Sequence, residues 1–261
     1  MTAAHRVAAT DIADGVRLGL STFTVVPVPA RTATRSAARV AMATAAACGI
    51  LIGTVVGALA IGLRAAHAPG LLTAAVCVGA GTLASRGLHL DGLADTVDAL
   101  GSYRDRERAL AIMRSPEVGP FGVVAIVFAL LVPIAAIDGS LGRPWWALLA
   151  TTAAGYGAGR LAATWECRVG VPPARPDGLG ALVAGTVPVA AAVIATVVIA
   201  ALAAAAVPHR AWQGPVAVVV ALVVTATFGV HVRRRVGGIT GDTLGACVEI
   251  GTAVALIGLA W

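Results

Sequence analysis

The stretch AARVAMATAAACGILIGTVVGALAIGL, residues 37–63, contains a single charged side chain, Arg39. A helix needs roughly 20 apolar residues to cross about 30 Å of hydrocarbon, and this stretch is long enough. Backbone amides inside hydrocarbon must be satisfied within the structure, so only helices and closed barrels span a membrane. Because the stretch lacks the apolar and polar alternation of barrel strands, it predicts a transmembrane helix.

The rest of the chain has the same apolar character. Of its 261 residues, 58% are hydrophobic and 12% are charged, and the mean hydropathy is +0.89. Six further windows are long and apolar enough to span: 71–90, 118–137, 145–165, 180–207, 215–232 and 244–261. We predict an all-α, polytopic integral membrane helix bundle with about seven transmembrane helices, in which residues 1–261 form one domain.

The basic residues predict the orientation of this bundle. With the N-terminus in the cytoplasm, only Arg64, Arg143 and Arg210 of the 19 basic residues fall on the outer side, as the positive-inside rule requires. We therefore expect a multi-pass protein of the cytoplasmic membrane. Residues 1–36 are interpreted as a cytoplasmic or interfacial segment, within which the apolar residues 18–29 are too short for a span and are interfacial or re-entrant.

Three aspartates stand in the segment HLDGLADTVD, residues 89–98. On a continuous helix Asp91, Asp95 and Asp98 share one face, where their charges repel. Carboxylate oxygens favour Mg²⁺ or Mn²⁺, which commonly bridge carboxylates and substrate phosphates. We predict that all three bind Mg²⁺ and that Asp91 and Asp95 take part in catalysis. The alternative is a solvated helix end, or aspartates paired with neighbouring arginines.

A second group of candidates lies in RRRVGGITGDTLGACVE, residues 233–249. Glycines such as Gly238 and Gly241 let a backbone approach a phosphate closely and expose its amides. These two glycines and Thr243 are predicted to bind substrate, although a threonine here can also cap the last helix.

The same segment carries two acids, Asp242 and Glu249. Capping of the last helix alone would account for Asp242. It does not account for Glu249, because an ionisable residue inside an apolar span is by default a functional candidate with a partner. We predict a catalytic role for both.

Three further residues are candidates for substrate binding. Arg114 lies in the cytoplasmic polar loop predicted at residues 99–117, whose arginines suit substrate phosphate and anionic lipid headgroups equally. Arg160 lies inside the fourth span and needs an anionic partner, for which the aspartate face is one candidate. His89 precedes the aspartates, and a lone histidine at a helix end is more often structural than catalytic.

Three motifs resemble those of the cobalamin 5'-phosphate synthase family: GLHLDGLADTVDAL (87–100), RALAIMRSPEVGPFG (108–122) and GGITGDTLGACVEIG (237–251). The resemblance extends in the same order over most of the chain. One departure is Ala99, where the family usually has glycine after the third aspartate, and it puts in doubt any role that requires a positive φ there.

The resemblance implies a membrane-bound, Mg²⁺-dependent transferase for the last step of nucleotide-loop assembly in cobalamin synthesis. The substrates are then adenosylcobinamide-GDP and α-ribazole or its 5'-phosphate, and the products are adenosylcobalamin or its 5'-phosphate and GMP. The ribazole 3'-hydroxyl attacks the phosphorus attached to cobinamide. By the same resemblance, Asp242 and Glu249 hold metal or accept the hydroxyl proton, and Arg114 and Arg160 contact the diphosphate or the GMP.

Two alternative functions share some of these sequence features. A CDP-alcohol phosphotransferase of phospholipid synthesis also carries aspartates at a helix end, but its pattern D-x-x-D-G-x-x-A-R differs from the order here. An ion-coupled transporter uses intramembrane acids, but the acids here cluster at one face and no repeat is visible. We expect membrane lipid and no nucleic acid as a partner, and the many small residues leave a homo-oligomer open.

Overall fold

A computed structural model describes residues 9–29 and 33–261. Within these residues the chain forms α-helices and no β-strand. The helices are α1 (Ala9–Phe23), α2 (Arg35–Ala43), α3 (Ala45–Ala65), α4 (Gly70–Leu83), α5 (Leu88–Gly101), α6 (Arg106–Ile112), α7 (Pro120–Ser140), α8 (Trp145–Glu166), α9 (Gly178–Val183), α10 (Val189–Ala204), α11 (Gln213–Val236) and α12 (Gly241–Ala260). The all-α prediction is confirmed, whereas the single domain stays a prediction.

Several of these helices are long and apolar enough to cross a membrane. Within the described residues they are α3, α7, α11 and α12, joined by a fifth span if the bent pair of α4 and α5 counts as one. The two remaining predicted windows correspond to α8, with 22 residues, and to α10, with 16. The chain is therefore a multi-pass membrane protein, while the count of seven and the cytoplasmic N-terminus stay predictions.

The core of the bundle is built around α8, most of whose residues are buried and more than half of which are alanine, glycine or threonine. Gly49 and Gly53 of α3 lie directly against the backbone carbonyls of Tyr156 and Thr152, where a Cβ atom would collide. Small residues at four-residue spacing let two helix backbones approach closely, which is how helices associate in lipid. Large apolar side chains instead cover the outer faces of the other helices, as expected for contact with lipid tails.

The predicted window 71–90 is not one straight helix. It is divided into α4 and α5, which meet at 86°. The break has a local cause, because Arg86 and Gly87 both adopt positive φ angles, 57° and 69°, and a helix does not continue through that conformation. The Arg86 guanidinium donates to the Ser21 carbonyl at 2.7 Å. The aspartates therefore stand on a separate helix, α5, and not at the end of a continuous span.

The N-terminal segment is described only in part. Residues 1–8 and 30–32 lie outside the described residues, so the prediction for 1–36 is assessed only for the remainder. There α1 covers the first half of the apolar stretch 18–29 and ends in the buried Phe23. At 15 residues α1 is too short for a straight span, and its interfacial or re-entrant position stays a prediction.

Candidate active site

A cavity of about 310 Å³ lies where α5, α9 and the start of α12 meet the C-terminal ends of α1 and α2. Its inner end is apolar and buried, lined by Phe23, Met42, Leu244 and Val248. Its outer rim is polar and more accessible. The carboxylates and the guanidinium at the rim belong to residues Asp91, Arg175, Asp177 and Asp242.

The two acidic motifs meet at this cavity because α5 and α12 pack closely. A Cβ atom added at Gly92 would lie 2.7 Å from the Asp242 carbonyl oxygen, and one at Gly245 would lie 3.1 Å from the His89 backbone. Both contacts are tighter than a side chain normally tolerates. Glycine at these two positions therefore brings Asp91 and Asp242 to the same cavity.

The three aspartates of α5 have different surroundings. Asp91 is exposed at the cavity rim, and Asp95 is half-buried within electrostatic reach of Asp91 and Asp242. Asp98 is buried, and its two carboxylate oxygens accept hydrogen bonds from the amides of Gly119 at 2.7 Å and Gly122 at 2.9 Å. Asp98 thus binds the first turn of α7, a favourable position for a carboxylate.

Asp98 is therefore satisfied by protein amides, and binding of Mg²⁺ by the three aspartates stays a prediction. Across residues 9–29 and 33–261, no group of three or more His, Cys, Asp or Glu side chains is arranged to hold a metal ion. The alternative of aspartates paired with arginines does not hold either, because neither Asp91 nor Asp95 forms an ion pair within the described residues. Arg106 instead donates to the carbonyls of Val236 and Ala174.

The N-terminus of α12 is fixed by its own threonines. Thr240 is the N-cap residue, and Thr243 completes a capping box by accepting from the Thr240 amide at 2.8 Å. The Thr240 hydroxyl also donates to Asp242 Oδ2 at 3.1 Å. The cap is therefore Thr240 and not Asp242, and the buried Thr243 is engaged in capping, while its predicted contact with substrate stays a prediction.

The two candidate glycines differ in their surroundings. Gly238 is buried against the backbone of Pro173 and Ala174, where a Cβ atom would collide. It permits this close approach, which is fixed by a hydrogen bond of 2.9 Å from the Ala174 amide to the Ile239 carbonyl. Gly241 instead lines the cavity, with room beside it. Of the two glycines predicted to bind substrate, Gly241 lies at the cavity and Gly238 does not.

Arg175 and Asp177 line the mouth of the cavity, and Arg114 lies next to it. Arg114 donates to both carboxylate oxygens of the exposed Asp177 at 3.0 Å. Burial lowers the pKa of the Arg175 guanidinium, and the charge of Arg114 acts in the same direction, whereas the carboxylates of Asp242, Asp177 and Asp95 raise it. Arginine nonetheless remains cationic at neutral pH. Arg175 therefore supplies positive charge beside the aspartates.

Arg160 and Glu249 lie away from this rim. Arg160 is 2% exposed, its guanidinium carbon lies 5.4 Å from the centre of the Tyr156 ring, and its Nε has no hydrogen-bond partner. Its nearest electrostatic partner is Glu249, not the aspartates, although no ion pair forms within 4 Å. Glu249 lines a separate apolar groove between α5, α7 and α12. The structure thus separates Glu249 from Asp242, and its predicted catalytic role stays a prediction.

Sequence reasoning missed Arg175, Asp177 and Glu166. The first two stand in the Pro-rich segment VPPARPDG and reach the cavity only because the backbone at Pro173 pairs with Ile239. Glu166 is 2% exposed and forms a short ion pair with Arg233. Its signal was present in the sequence, since a carboxylate at the end of an apolar span needs a cationic partner.

Comparison with known proteins identifies the family. A family model described as cobalamin-5-phosphate synthase matches residues 15–260. The chain belongs to the cobalamin-5-phosphate synthase family. This confirms the resemblance found in the sequence and the predicted class of function, the nucleotide-loop assembly step of cobalamin synthesis.

Relatives in this family cover nearly the whole chain. A Frankia casuarinae protein is 40% identical over 94% of this chain and 93% of its own length. Proteins from Corynebacterium efficiens and a Nocardioides species are 37% and 39% identical, over 94% and 95% of this chain and 90% and 98% of their own lengths. All three are named adenosylcobinamide-GDP ribazoletransferase. No solved structure matches the chain.

Proposed function

We propose that this chain joins adenosylcobinamide-GDP to α-ribazole or its 5'-phosphate, with release of GMP, at the cytoplasmic face of the cytoplasmic membrane. The observation that carries the proposal is the meeting of both acidic motifs at one cavity, with Asp91 from α5 and Asp242 from α12 beside Arg175. A diphosphate substrate needs cationic partners, and a hydroxyl nucleophile needs a proton acceptor; this rim offers both.

The donor set at the rim suits Mg²⁺. This cation is usually bound through one or two carboxylates, with substrate phosphates and water as the remaining ligands. Asp91 and Asp95 are one helical turn apart on α5, and among residues 9–29 and 33–261 neither is paired with an arginine. These two residues would hold the ion, which when bound neutralises charge on the diphosphate and on the leaving GMP. Asp98 is engaged with α7 and lies outside this set.

The protein's own side chains supply the remaining functions. The Arg175 and Arg114 guanidinium groups bind the diphosphate of adenosylcobinamide-GDP, for which their planar donors are suited. Asp242, whose carboxylate is oriented by the Thr240 hydroxyl, accepts the proton of the ribazole hydroxyl. The hydroxyl oxygen forms a bond to the phosphorus that carries cobinamide. The bond from this phosphorus to the bridging oxygen breaks, and GMP leaves with that oxygen.

The test is reconstitution of the purified chain in lipid nanodiscs with adenosylcobinamide-GDP and α-ribazole, with and without Mg²⁺. We expect GMP and a corrinoid product in equal amounts, and only when Mg²⁺ is present. Product formation that persists after thorough chelation contradicts the Mg²⁺ requirement. A well-folded sample that forms neither product contradicts the reaction itself.

A further inference from the structure

The inner end of the cavity differs chemically from its rim. Phe23, Met42, Leu244 and Val248 are each at most 5% exposed, and they offer only apolar surface. His89 stacks on Phe23, with ring centres 5.6 Å apart and planes inclined by 30°. An apolar pocket lined by the Phe23 ring suits an aromatic ligand ring, which buries a large area and stacks on its neighbours.

One polar side chain lies among these apolar ones. His89 is 4% exposed, lines the cavity, and its Nδ1 has no hydrogen-bond partner. Among the described cavity-lining residues, His89 Nδ1 and Arg175 Nε are the buried side-chain atoms that lack a partner, and of these two residues His89 stacks on Phe23 of the apolar inner end. Buried polar atoms are normally satisfied, so an unpartnered one beside a cavity points to a ligand that supplies the missing partner.

Size and polarity select among the parts of the two proposed substrates. At about 310 Å³ the cavity is at the lower end of small-molecule sites, which span about 300–1,000 Å³, so a corrin ring does not fit. Guanine carries several donors and acceptors on its edges, and most of them would be left unpaired among apolar side chains. The benzimidazole of ribazole is flat and largely apolar, with a single unsubstituted ring nitrogen.

We propose that the inner end of this cavity binds the benzimidazole base of α-ribazole, with the ring packed against Phe23 and lying edge to edge with His89, whose Nδ1 donates to the free nitrogen of the base. This inference rests on the proposed function and adds the location and chemistry of the nucleoside site. The base then lies inside and its ribose projects toward Asp242 at the rim. The guanosine and corrinoid parts of the other substrate remain outside the cavity.

The first measurement compares two ligands on the unaltered protein. Binding of α-ribazole to the chain in nanodiscs is measured by calorimetry without adenosylcobinamide-GDP, beside the isosteric indole riboside in which carbon replaces the free ring nitrogen. We expect α-ribazole to bind about tenfold more tightly, the effect of one buried hydrogen bond. Equal affinities contradict the role of His89 Nδ1. No binding of either ligand contradicts the base site.

Variants separate stacking from hydrogen bonding. His89→Phe keeps a flat ring but removes the nitrogen, and we expect it to bind both ligands equally. Phe23→Leu removes the flat ring, and we expect the KM for α-ribazole to rise about tenfold while the KM for adenosylcobinamide-GDP stays within twofold. The matched control is Phe128→Leu, an exposed phenylalanine on α7, for which both values should stay unchanged.

The two proposals fail in different ways. If Phe23→Leu raises the KM for adenosylcobinamide-GDP instead, the inner end binds guanosine and the inference is wrong while the reaction stands. If the unaltered chain forms no product but still binds α-ribazole, and loses this binding in Phe23→Leu, the base site stands and the reaction is wrong. The melting temperature of each variant is first compared with that of the unaltered chain, to show that the variant folds. If a variant does not fold, the comparison of α-ribazole with the indole riboside on the unaltered protein still tests the inference.

Discussion

Asp91 and Asp98 belong to the same short helix and the same sequence motif, yet their surroundings are opposite. Asp91 is exposed at the rim of the cavity, without an ion pair in the described part of the chain. Asp98 is buried, and both of its oxygens accept amide hydrogen bonds from α7. The difference teaches that a shared helical face does not imply a shared role. A carboxylate satisfied by the protein holds the fold together, whereas one facing a cavity is available for a ligand.

Asp91→Asn should have the largest effect on turnover. Asparagine keeps the size of the side chain but removes its charge, so we expect kcat to fall about a thousandfold through loss of metal-dependent charge stabilisation. The melting temperature in nanodiscs should stay unchanged because the side chain is exposed. The rate of GMP release measures kcat, and tryptophan fluorescence on heating measures the melting temperature. Turnover within a few-fold of the unaltered chain would remove Asp91 from the proposed metal site.

Asp242→Asn should reduce turnover less and in a different way. If Asp242 accepts the hydroxyl proton, its loss lowers kcat about a hundredfold, the typical contribution of a general base. The Mg²⁺ concentration that gives half-maximal rate should not change, because the ion is proposed to lie on Asp91 and Asp95. Mg²⁺ titrations of the variant and the unaltered chain make the comparison. A marked rise in the Mg²⁺ requirement would show that Asp242 is instead a metal ligand.

Asp98→Asn reverses the pattern expected for Asp91. An amide cannot accept from the amides of Gly119 and Gly122 through both of its terminal atoms, so a buried N–H group loses its partner. We expect the variant to lose about 1–3 kcal/mol of stability while it keeps at least a tenth of the activity below its melting temperature. The melting temperature is the decisive measurement, with Asp91→Asn as the matched control. Unchanged stability together with abolished turnover would indicate that Asp98 is a metal ligand.

The fold class was predictable because apolar length is a property of the sequence alone. The break in the window 71–90 was not, since it depends on positive φ angles at Arg86 and Gly87, which hydropathy does not report. Helix periodicity correctly grouped the aspartates on one helix. Periodicity gave no information on α7, whose first amides donate hydrogen bonds to the Asp98 carboxylate. Local pattern thus predicts which residues share an element, and tertiary packing decides what each one contacts.

The candidate site was predictable to the extent that its residues are unusual in a membrane helix. Asp91 and Asp242 were identified because few acids occur in the chain, and both do line the cavity. Arg175 and Asp177 stand in a loop where charged residues are ordinary, so nothing in the sequence distinguished them. Their place at the rim follows from the pairing of Pro173 with Ile239, a contact between segments far apart in the chain.

Arg114→Gln should give the smallest effect and shows what an exposed partner contributes. Arg114 and Asp177 are 57% and 66% exposed, and an ion pair in such surroundings contributes about 0–1 kcal/mol, so stability should hardly change. If the guanidinium exchanges Asp177 for the diphosphate, the KM for adenosylcobinamide-GDP should rise about threefold to tenfold, since one charge-assisted hydrogen bond is lost. The KM for α-ribazole should stay constant. The matched control is Arg108→Gln, because Arg108 is an exposed arginine of α6 that does not line the cavity. Equal changes in the two arginine variants would mean that Arg114 acts through the general positive charge of the loop and not through contact with the substrate.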